Sequence, residues 1–231
     1  DEFKNDVRPI SIGNAIRRLT ARCTLSYVMP LAEQTFGKDQ YGAGALNGTE
    51  KPIHLFRHLM QSALDTTDDF IVMTRDAKNA FNEIDQNQIF AGVSECMPRL
   101  SNYLRWVYGS NAPQHFGDAG KVHMRAGVFQ GDPLSALLFC FIPRKIWLQL
   151  QKEQRICGIN IDWSKIHKAL YLDDTIIAGP SSQVFAIAQG MSNVGSSIGF
   201  ITVPKKDQLA RPNPHCHFDF SALQLLNHLF D

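Results

Sequence analysis

The stretch KALYLDDTIIAGP, residues 168–180, places two adjacent carboxylates inside a run of apolar and β-branched residues. Such runs favour β-strands, and aspartate is disfavoured in them. Taken alone, Asp173 and Asp174 are explained by a hairpin turn, because aspartate bonds to nearby backbone and tolerates left-handed conformations. Turns that only reverse the chain are usually rich in glycine or asparagine, whereas apolar residues flank this pair on both sides. The flanking residues therefore favour a functional role.

A second short apolar run also ends on a carboxylate, in DFIVMTRD at residues 69–76. Side chains alternate between the faces of a strand, so only one of Asp173 and Asp174 points squarely at a given site. Because Mg²⁺ takes one or two carboxylates together with substrate phosphates, a distant third carboxylate is expected. If the two strands are neighbours in one sheet, Asp76 meets the pair at the end of that sheet. The alternative for Asp76 is a helix N-cap after a strand.

Composition narrows the class of protein. The 231 residues are 44% hydrophobic, enough for one sizeable core or a domain with two lobes. The formal net charge of +1 gives no global field for non-specific nucleic-acid binding, so any basic surface must be local. We expect no membrane partner, because no apolar run approaches the roughly 20 residues of a membrane span and no signal-peptide pattern occurs.

The five cysteines are odd in number and contain no CxxC pair, so neither a disulfide framework nor a zinc site is indicated. They predict an intracellular, reducing compartment, either nucleus or cytoplasm. The HCH triplet at residues 215–217 has no second ligand cluster and is interpreted as a surface loop. The first residue is Asp1 rather than methionine, which suggests a fragment or a processed product.

Periodicity predicts an α+β fold of helices and mainly hairpin-forming strands, because the regular βαβ alternation of a parallel sheet is missing. Helices are predicted over residues 13–36, 53–64, 86–96, 98–108, 134–150 and 181–198. Strands are predicted over residues 69–76, 114–117, 121–128, 158–161 and 167–178. The first helix carries an apolar stripe of Ile16, Leu19, Cys23 and Tyr27 and is expected to stop at Gly37. Pro30 is expected to kink or divide it.

Four segments, in order, resemble the reverse transcriptase domain of non-LTR (LINE-type) retrotransposons. They are RPISIGNAIRRLTARC (8–23), RDAKNAFNEID (75–85), GVFQGDPLSALLF (127–139) and YLDD (171–174). They resemble the family's RPI…G…RR, D-x-x-N-A-F-N, Q-G-D-P-L and Y-x-D-D elements. Weaker matches are QYGAGALNGTEKPIHLFR, a glycine-rich connector, and GFITVPKK, a G-L-x-x-N-x-x-K element. The four-residue box alone is a weak signal, but the ordered set is strong and covers nearly the whole chain.

The resemblance implies a right-hand polymerase fold, with an antiparallel palm sheet packed on helices and partial fingers. Residues 1–65 would form the partial fingers, 66–210 the palm, and 211–231 a tail that starts a missing thumb. Nothing in the sequence resembles the endonuclease of such elements. We therefore expect an active-site lobe of a larger polyprotein whose endonuclease and thumb are absent here.

The resemblance also implies a nucleotidyl-transfer site. Asp76 and Asp173, assisted by Asp174, would hold two Mg²⁺ ions, with Mn²⁺ as a possible substitute. One ion would activate the primer 3′-hydroxyl and the other would hold the triphosphate. Asp173 is expected to be the direct ligand. The implied partners are an RNA template, a DNA primer and deoxynucleoside triphosphates.

Further residues are assigned to the nucleotide by the same resemblance. Phe81 falls where related enzymes place an aromatic ring that blocks a 2′-hydroxyl; the alternative is an ordinary core phenylalanine. Gln130 and Gly131 precede a helix start, where backbone N–H groups approach a nucleotide closely, and Gln130 would contact the incoming nucleotide. Arg8 would bind its phosphates. Lys206 matches a lysine that, in related polymerases, protonates the leaving pyrophosphate. Ordinary solvated charge is the alternative for both cations.

Three positions depart from the family pattern. Arg75 stands where an apolar residue is usual, and on a strand it would face the core, where an unpaired charge is costly. Val203 replaces the usual asparagine before Lys206. Pro143 lies in the helix predicted after QGDPL, so that helix should be kinked or shorter.

Three functions follow as candidates. The first is an RNA-directed DNA polymerase domain. The second is a catalytically inactive retroelement remnant or a domesticated nucleic-acid-binding module. The third is an RNA-directed RNA polymerase, which Phe81 and a YLDD rather than a Gly-Asp-Asp box argue against.

Overall fold

The computed structural model describes residues 10–64, 69–109, 113–115 and 120–212. Its helices are α1 (Ala15–Phe36), α2 (Glu50–Leu64), α3 (Ala80–Glu83), α4 (Gln86–Cys96), α5 (Ser101–Tyr108), α6 (Ser135–Phe139), α7 (Phe141–Leu150) and α8 (Ser181–Ser196). Its strands are β1 (Phe70–Arg75), β2 (Pro113–His115), β3 (Lys121–His123), β4 (Arg155–Ile156), β5 (Ile159–Asn160), β6 (His167–Tyr171), β7 (Asp174–Pro180) and β8 (Gln208–Ala210). Short 3₁₀ turns cover Pro98–Leu100, Trp163–Lys165 and Pro204–Lys206.

The central sheet has the strand order β6-β7-β1-β8, and each neighbouring pair is antiparallel. Two further antiparallel pairs, β2 with β3 and β4 with β5, stand apart from it. The predicted α+β fold with an antiparallel sheet is therefore confirmed. The run predicted as a strand over residues 167–178 is a hairpin, β6 and β7, that turns at Leu172 and Asp173.

The two faces of the sheet are covered by different elements. Ile71 and Met73 of β1 belong to the main core, which also contains residues of α4 to α8. Val72, between them in sequence, joins a second buried cluster with Phe56 of α2 and Ala178 of β7. This is the alternation that a strand buried on both faces requires. It also fixes the face on which each side chain at the end of β1 lies.

Helix α1 matches the predicted helix and runs through Pro30 without division, so of the two expected effects of this proline only a kink stays a prediction. Asn14 caps its first turn by accepting a hydrogen bond from the Arg17 backbone N–H at 2.8 Å, and Gly37 ends it with a φ of 77°. Pro30 and Ser26 both lie on the exposed side. The Ser26 carbonyl, which the proline deprives of its helical partner, is therefore on the side that water reaches.

The apolar stripe of α1 faces solvent. Ile16, Leu19 and Tyr27 are 74%, 64% and 58% exposed. The buried side consists of Ala21, Val28, Ala32 and Phe36. The periodicity thus identifies the helix, whereas the side packed on the core is made mainly of smaller residues that let the helix approach closely.

The helix predicted over residues 134–150 is shortened into α6 and α7, which meet at Cys140. Pro143 is the third residue of α7. In the first turn a backbone N–H has no helical acceptor, so proline is tolerated there. The expected shortening after QGDPL is confirmed, and its cause is the placement of Pro143 at a helix start.

No helix within the described ranges is long and apolar enough to cross a membrane. The cysteines in those ranges, Cys23, Cys96, Cys140 and Cys157, are free thiols. Arg8, the HCH triplet and the tail from residue 213 onward lie outside the described residues, so the predictions made for them stay predictions.

Candidate active site

The two carboxylate-bearing strands are neighbours. Strand β1 pairs with β7 from Phe70 opposite Pro180 to Arg75 opposite Thr175. One residue further along this register, Asp76 follows β1 and Asp174 begins β7. The sheet therefore brings the two residues to the same edge, although 98 positions separate them in sequence (174 − 76).

Asp76 and Asp174 line one cleft of about 630 Å³, together with the segment that carries Lys206. The Lys206 Nζ donates to the Asp76 Oδ2 at 2.8 Å. Desolvation of the Asp174 carboxyl raises its pKa, and the negative charge of Asp76 raises it further. Carboxylates that share a site disfavour each other's ionisation, and a cation placed between them relieves this repulsion. The cleft is therefore suited to a cation.

Asp173, the residue before Asp174, lines a second, smaller cavity. Phe81 and Gln130, from two distant segments, line the same cavity with Asn79, Ala80 and Asn82. The Phe81 ring stacks on Phe139 with centroids 4.5 Å apart. The Gln130 Oε1 is buried without a hydrogen-bond partner, so it is an acceptor that a ligand in this cavity could satisfy. Three predicted site residues thus converge here.

The packing of two loops creates this smaller cavity. The Val128 N–H donates to the Phe81 carbonyl at 2.6 Å, and the Gly127 N–H donates to the Ile84 carbonyl at 2.7 Å. A Cβ at Gly127 would lie 2.3 Å from the Phe81 oxygen, and its φ is 75°. Only glycine accommodates both the close approach and the left-handed backbone. The GVFQGD segment is consequently held directly against the NAFN segment.

Gly131 packs against the N-terminal segment. Its φ is 111°, and a Cβ there would lie 2.9 Å from the Ser11 carbonyl. The Ser11 N–H in turn donates to the Gln130 carbonyl at 2.7 Å. Arg8 itself is outside the described residues, but Ser11, three positions later, lies beside Gln130.

The YLDD turn is held by a residue that the sequence analysis did not single out. Gln40 is 3% exposed, and its Oε1 accepts from the Gly42 and Leu172 N–H groups at 2.9 and 3.3 Å. Leu172 has a φ of 57°, which is unusual for a branched residue and requires support from its surroundings. Residues 39–41 also bond to both backbone groups of Leu170 along the edge of β6. The glycine-rich connector thus supports the hairpin tip.

Arg75 lies in the core as expected, but its charge has a partner there. It faces the core, as its place on β1 requires, and is 3% exposed. Its charge is not unpaired, however, because the Nε donates to the Asp207 Oδ2 at 3.0 Å. Asp207 was not predicted as a functional residue. The signal available for it was its position directly after Lys206.

The donor set suits hard divalent cations, because Asp76 and Asp174 offer carboxylate oxygens in one cleft and Asp173 adjoins it through the turn. Within the described ranges, no group of three or more His, Cys, Asp or Glu side chains is arranged to hold a metal. The residues therefore fit an ion that takes two carboxylates and completes its coordination with water and substrate phosphates.

The fold and this cleft are those of a palm domain with paired carboxylates at the end of an antiparallel sheet. The sequence profile of the family "Reverse transcriptase (RNA-dependent DNA polymerase)" matches residues 2–218. The chain belongs to this reverse transcriptase family, and the resemblance stated from the sequence is confirmed.

One curated relative is the "Retrovirus-related Pol polyprotein from type-1 retrotransposable element R2" of Popillia japonica. It is 26% identical over 185 residues, which cover 76% of this chain and 25% of that protein. This similarity agrees with the retrotransposon class predicted from the motifs. The chain spans about a quarter of that relative's length.

Among solved structures, the chain is similar to an apo telomerase from Candida tropicalis that is truncated from its C-terminal domain. The TM-score is 0.60 and the sequence identity is 12%. The match covers 84% of this chain and 40% of that chain. The chain is also similar to a telomerase from Candida albicans in complex with a TWJ fragment of telomeric RNA. There the TM-score is 0.55 and the identity 11%, and the match covers 84% of this chain and 35% of that chain. At such identities the likeness establishes the fold.

Proposed function

We propose that this chain is the polymerase lobe of a retrotransposon protein and extends a DNA primer on an RNA template. The observation that carries the proposal is that Asp76 and Asp174, which is adjacent to Asp173 in sequence, lie at one edge of the palm sheet and line one cleft. Family membership supplies the reaction class, and the paired carboxylates supply the chemistry that it needs.

Asp76, Asp173 and Asp174 would hold two divalent cations, Mg²⁺ or Mn²⁺. Such ions, when bound, lower the pKa of a bound hydroxyl and stabilise charge on the triphosphate in an in-line displacement. The register favours Asp76 and Asp174 as the pair within one cleft. Asp173 lies in the turn just before Asp174 and lines the cavity of Phe81, where the nucleotide would bind.

The smaller cavity would receive the sugar and base of a deoxynucleoside triphosphate. Stacking on Phe139 favours the position in which the Phe81 ring would block a 2′-hydroxyl. The unpaired Gln130 Oε1 would accept a hydrogen bond from the bound nucleotide. Gly131 would lie on the phosphate side, since it packs against Ser11, whose N–H bonds to the Gln130 carbonyl. By the family resemblance, Arg8 would bind the phosphates.

Lys206 would give a proton to the leaving pyrophosphate. Its ammonium group is 2.8 Å from the Asp76 carboxylate, at the edge of the larger cleft. A positioned general acid of this kind contributes roughly 10²- to 10⁴-fold to a reaction rate. The same ammonium group neutralises part of the acidic charge that triphosphate binding must overcome.

The longer relatives imply further partners. We propose that the working protein is a larger polyprotein with an endonuclease and a thumb, and that it acts inside the cell, in nucleus or cytoplasm. The 25% share of the relative's length leaves room for such regions.

A primer-extension assay tests the proposal. The chain is incubated with an RNA template, a DNA primer, deoxynucleotides and Mg²⁺, and Asp173→Asn is compared with Asp162→Asn. Asp162 caps the Trp163–Lys165 turn by accepting from the Ser164 N–H, a role that asparagine retains. We expect extension to be lost in Asp173→Asn and kept in Asp162→Asn. Extension that survives Asp173→Asn unchanged would refute the site, and template–primer binding without any incorporation would favour a nucleic-acid-binding module.

A further inference from the structure

Two adjacent residues at the end of β1 pair with two adjacent residues before β8. Asp76 contacts Lys206 in the cleft, with 2.8 Å between Oδ2 and Nζ. Arg75 contacts Asp207 beside it, with 3.0 Å between Nε and Oδ2. All four residues line the cleft, but the Asp76–Lys206 pair is open to solvent whereas the Arg75–Asp207 pair is buried at its base.

The buried pair is firmly anchored. The Arg75 and Asp207 side chains are 1% and 3% exposed, against 28% for Asp76 and 53% for Lys206. The guanidinium of Arg75 also donates to the Ser192 and Thr202 hydroxyls at 3.2 Å each. It donates as well to the Ala188 carbonyl of α8. Arg75 therefore ties Asp207 to the core through several donors in one rigid plane.

Backbone hydrogen bonds on both sides of Lys206 tie its segment to β1 and to the residues that directly follow β1. The Lys78 N–H donates to the Ile201 carbonyl at 2.7 Å, and the Val203 N–H donates to the Asp76 carbonyl at 3.0 Å. Beyond the lysine, Gln208 pairs with Thr74 as β8 begins. Between these ties runs the 3₁₀ turn Pro204–Lys206, and Asp207 is the first anchored side chain after it.

An exposed lysine–aspartate contact is by itself too weak to keep a long, flexible side chain in one position. We infer that the buried Arg75–Asp207 ion pair is a positioning device that holds Lys206 opposite Asp76 for the reaction. The inference rests on the proposed function, and it assigns Arg75 and Asp207 a role through Lys206 rather than a contact with substrate. It also accounts for an arginine at a strand position where the family pattern has an apolar residue.

A double-mutant cycle in single-turnover nucleotide incorporation tests the inference. Lys206→Ala is expected to lower kcat about a hundredfold or more, with little change in KM. Asp207→Asn is expected to lower kcat several-fold, and the double variant to be no slower than Lys206→Ala alone, because both changes remove the same positioned ammonium group. If the two losses multiply in the double variant, Asp207 does not act through Lys206 and the inference is wrong.

A second variant serves as a control for misfolding. Asp207→Asn leaves the Arg75 charge buried without its carboxylate, whereas Arg75→Met/Asp207→Leu removes both charges and keeps the packing. The paired variant is expected to stay folded and still to lose the same several-fold in kcat. A paired variant with full kcat would overturn the inference.

A measurement without catalysis separates this inference from the proposed function. Acetylation of lysines in the metal-free protein, followed by mass spectrometry, compares Lys206 with its neighbour Lys205. We expect Lys206 to react slowly in the wild type and several-fold faster in both Asp76→Asn and the paired variant, with Lys205 unchanged. A Lys206 rate that does not change in the paired variant would refute the positioning role. If the chain incorporates no nucleotide, only the proposed function fails, and the acetylation rates still decide the inference.

Discussion

Removal of Arg75 alone should be among the most damaging single changes in the sheet. Arg75→Met would leave Asp207, whose side chain is 3% exposed, without its cationic partner. Breaking a buried ion pair from one side costs about 3–5 kcal/mol, because an uncompensated charge stays in the interior. Removing both partners in Arg75→Met/Asp207→Leu should cost far less and can stabilise the fold, because no charge remains to be desolvated.

Urea unfolding at pH 8, followed by circular dichroism, measures both free energies. The single variant should lose about 3–5 kcal/mol and the paired variant less than about 1 kcal/mol. Burial already raises the pKa of Asp207 to about 6 despite the nearby Arg75. An acid whose folded pKa is raised is most stabilising when protonated, so the deficit of Arg75→Met relative to wild type should shrink as the pH falls from 8 towards 5. Equal losses in the single and paired variants would show that packing, not charge pairing, makes Arg75 important.

Three further changes test other parts of the site. Phe81→Val should raise the ratio of ribonucleotide to deoxynucleotide kcat/KM at least tenfold, measured by single-nucleotide incorporation, because the ring fixed on Phe139 would be gone; an unchanged ratio would leave Phe81 as a core residue. Gln40→Ala should lower the free energy of unfolding by about 1–3 kcal/mol, since two backbone N–H groups lose their acceptor; an unchanged free energy of unfolding would show that Gln40 does not support the turn. Gly127→Ala should lower the melting temperature by several degrees, because its Cβ would lie 2.3 Å from the Phe81 oxygen; a wild-type melting temperature would contradict the close approach.

The fold could be predicted from the sequence because its signals are local and ordered. The apolar run before Asp76 and the run around YLDD each predict a strand, and the motif order gives the palm as a whole. The positions of Gly37 and Pro143 mark a helix end and a helix start, as their backbone restrictions require.

Which of Asp173 and Asp174 shares the larger cleft with Asp76 could not be predicted, because that depends on the register of the strands. Alternation in a strand predicts that one aspartate faces a site, but a shift of one residue exchanges the two faces. The hairpin turns at Leu172 and Asp173, so Asp174 is already the first residue of β7 and lies beside Asp76. The role of Asp173 as the direct ligand stays a prediction.

The buried ion pair was beyond prediction for a related reason. Arg75 and Asp207 are 132 residues apart, and no local pattern links them. The solvent exposure of the apolar stripe of α1 could not be predicted either. Periodicity predicts the helix but not which of its sides packs on the core. Tertiary contacts decide both.

In the proposed reaction, carboxylates from two neighbouring strands would hold the ions of nucleotidyl transfer. The most direct test of this claim is the rate of single deoxynucleotide incorporation, with Mg²⁺ and an RNA template, by wild-type protein and by Asp76→Asn. Loss of one ligand to the catalytic ions should lower this rate about 10³-fold, equivalent to about 4 kcal/mol, while template–primer affinity and melting temperature are kept. An Asp76→Asn variant that incorporates deoxynucleotides at the wild-type rate would contradict the account.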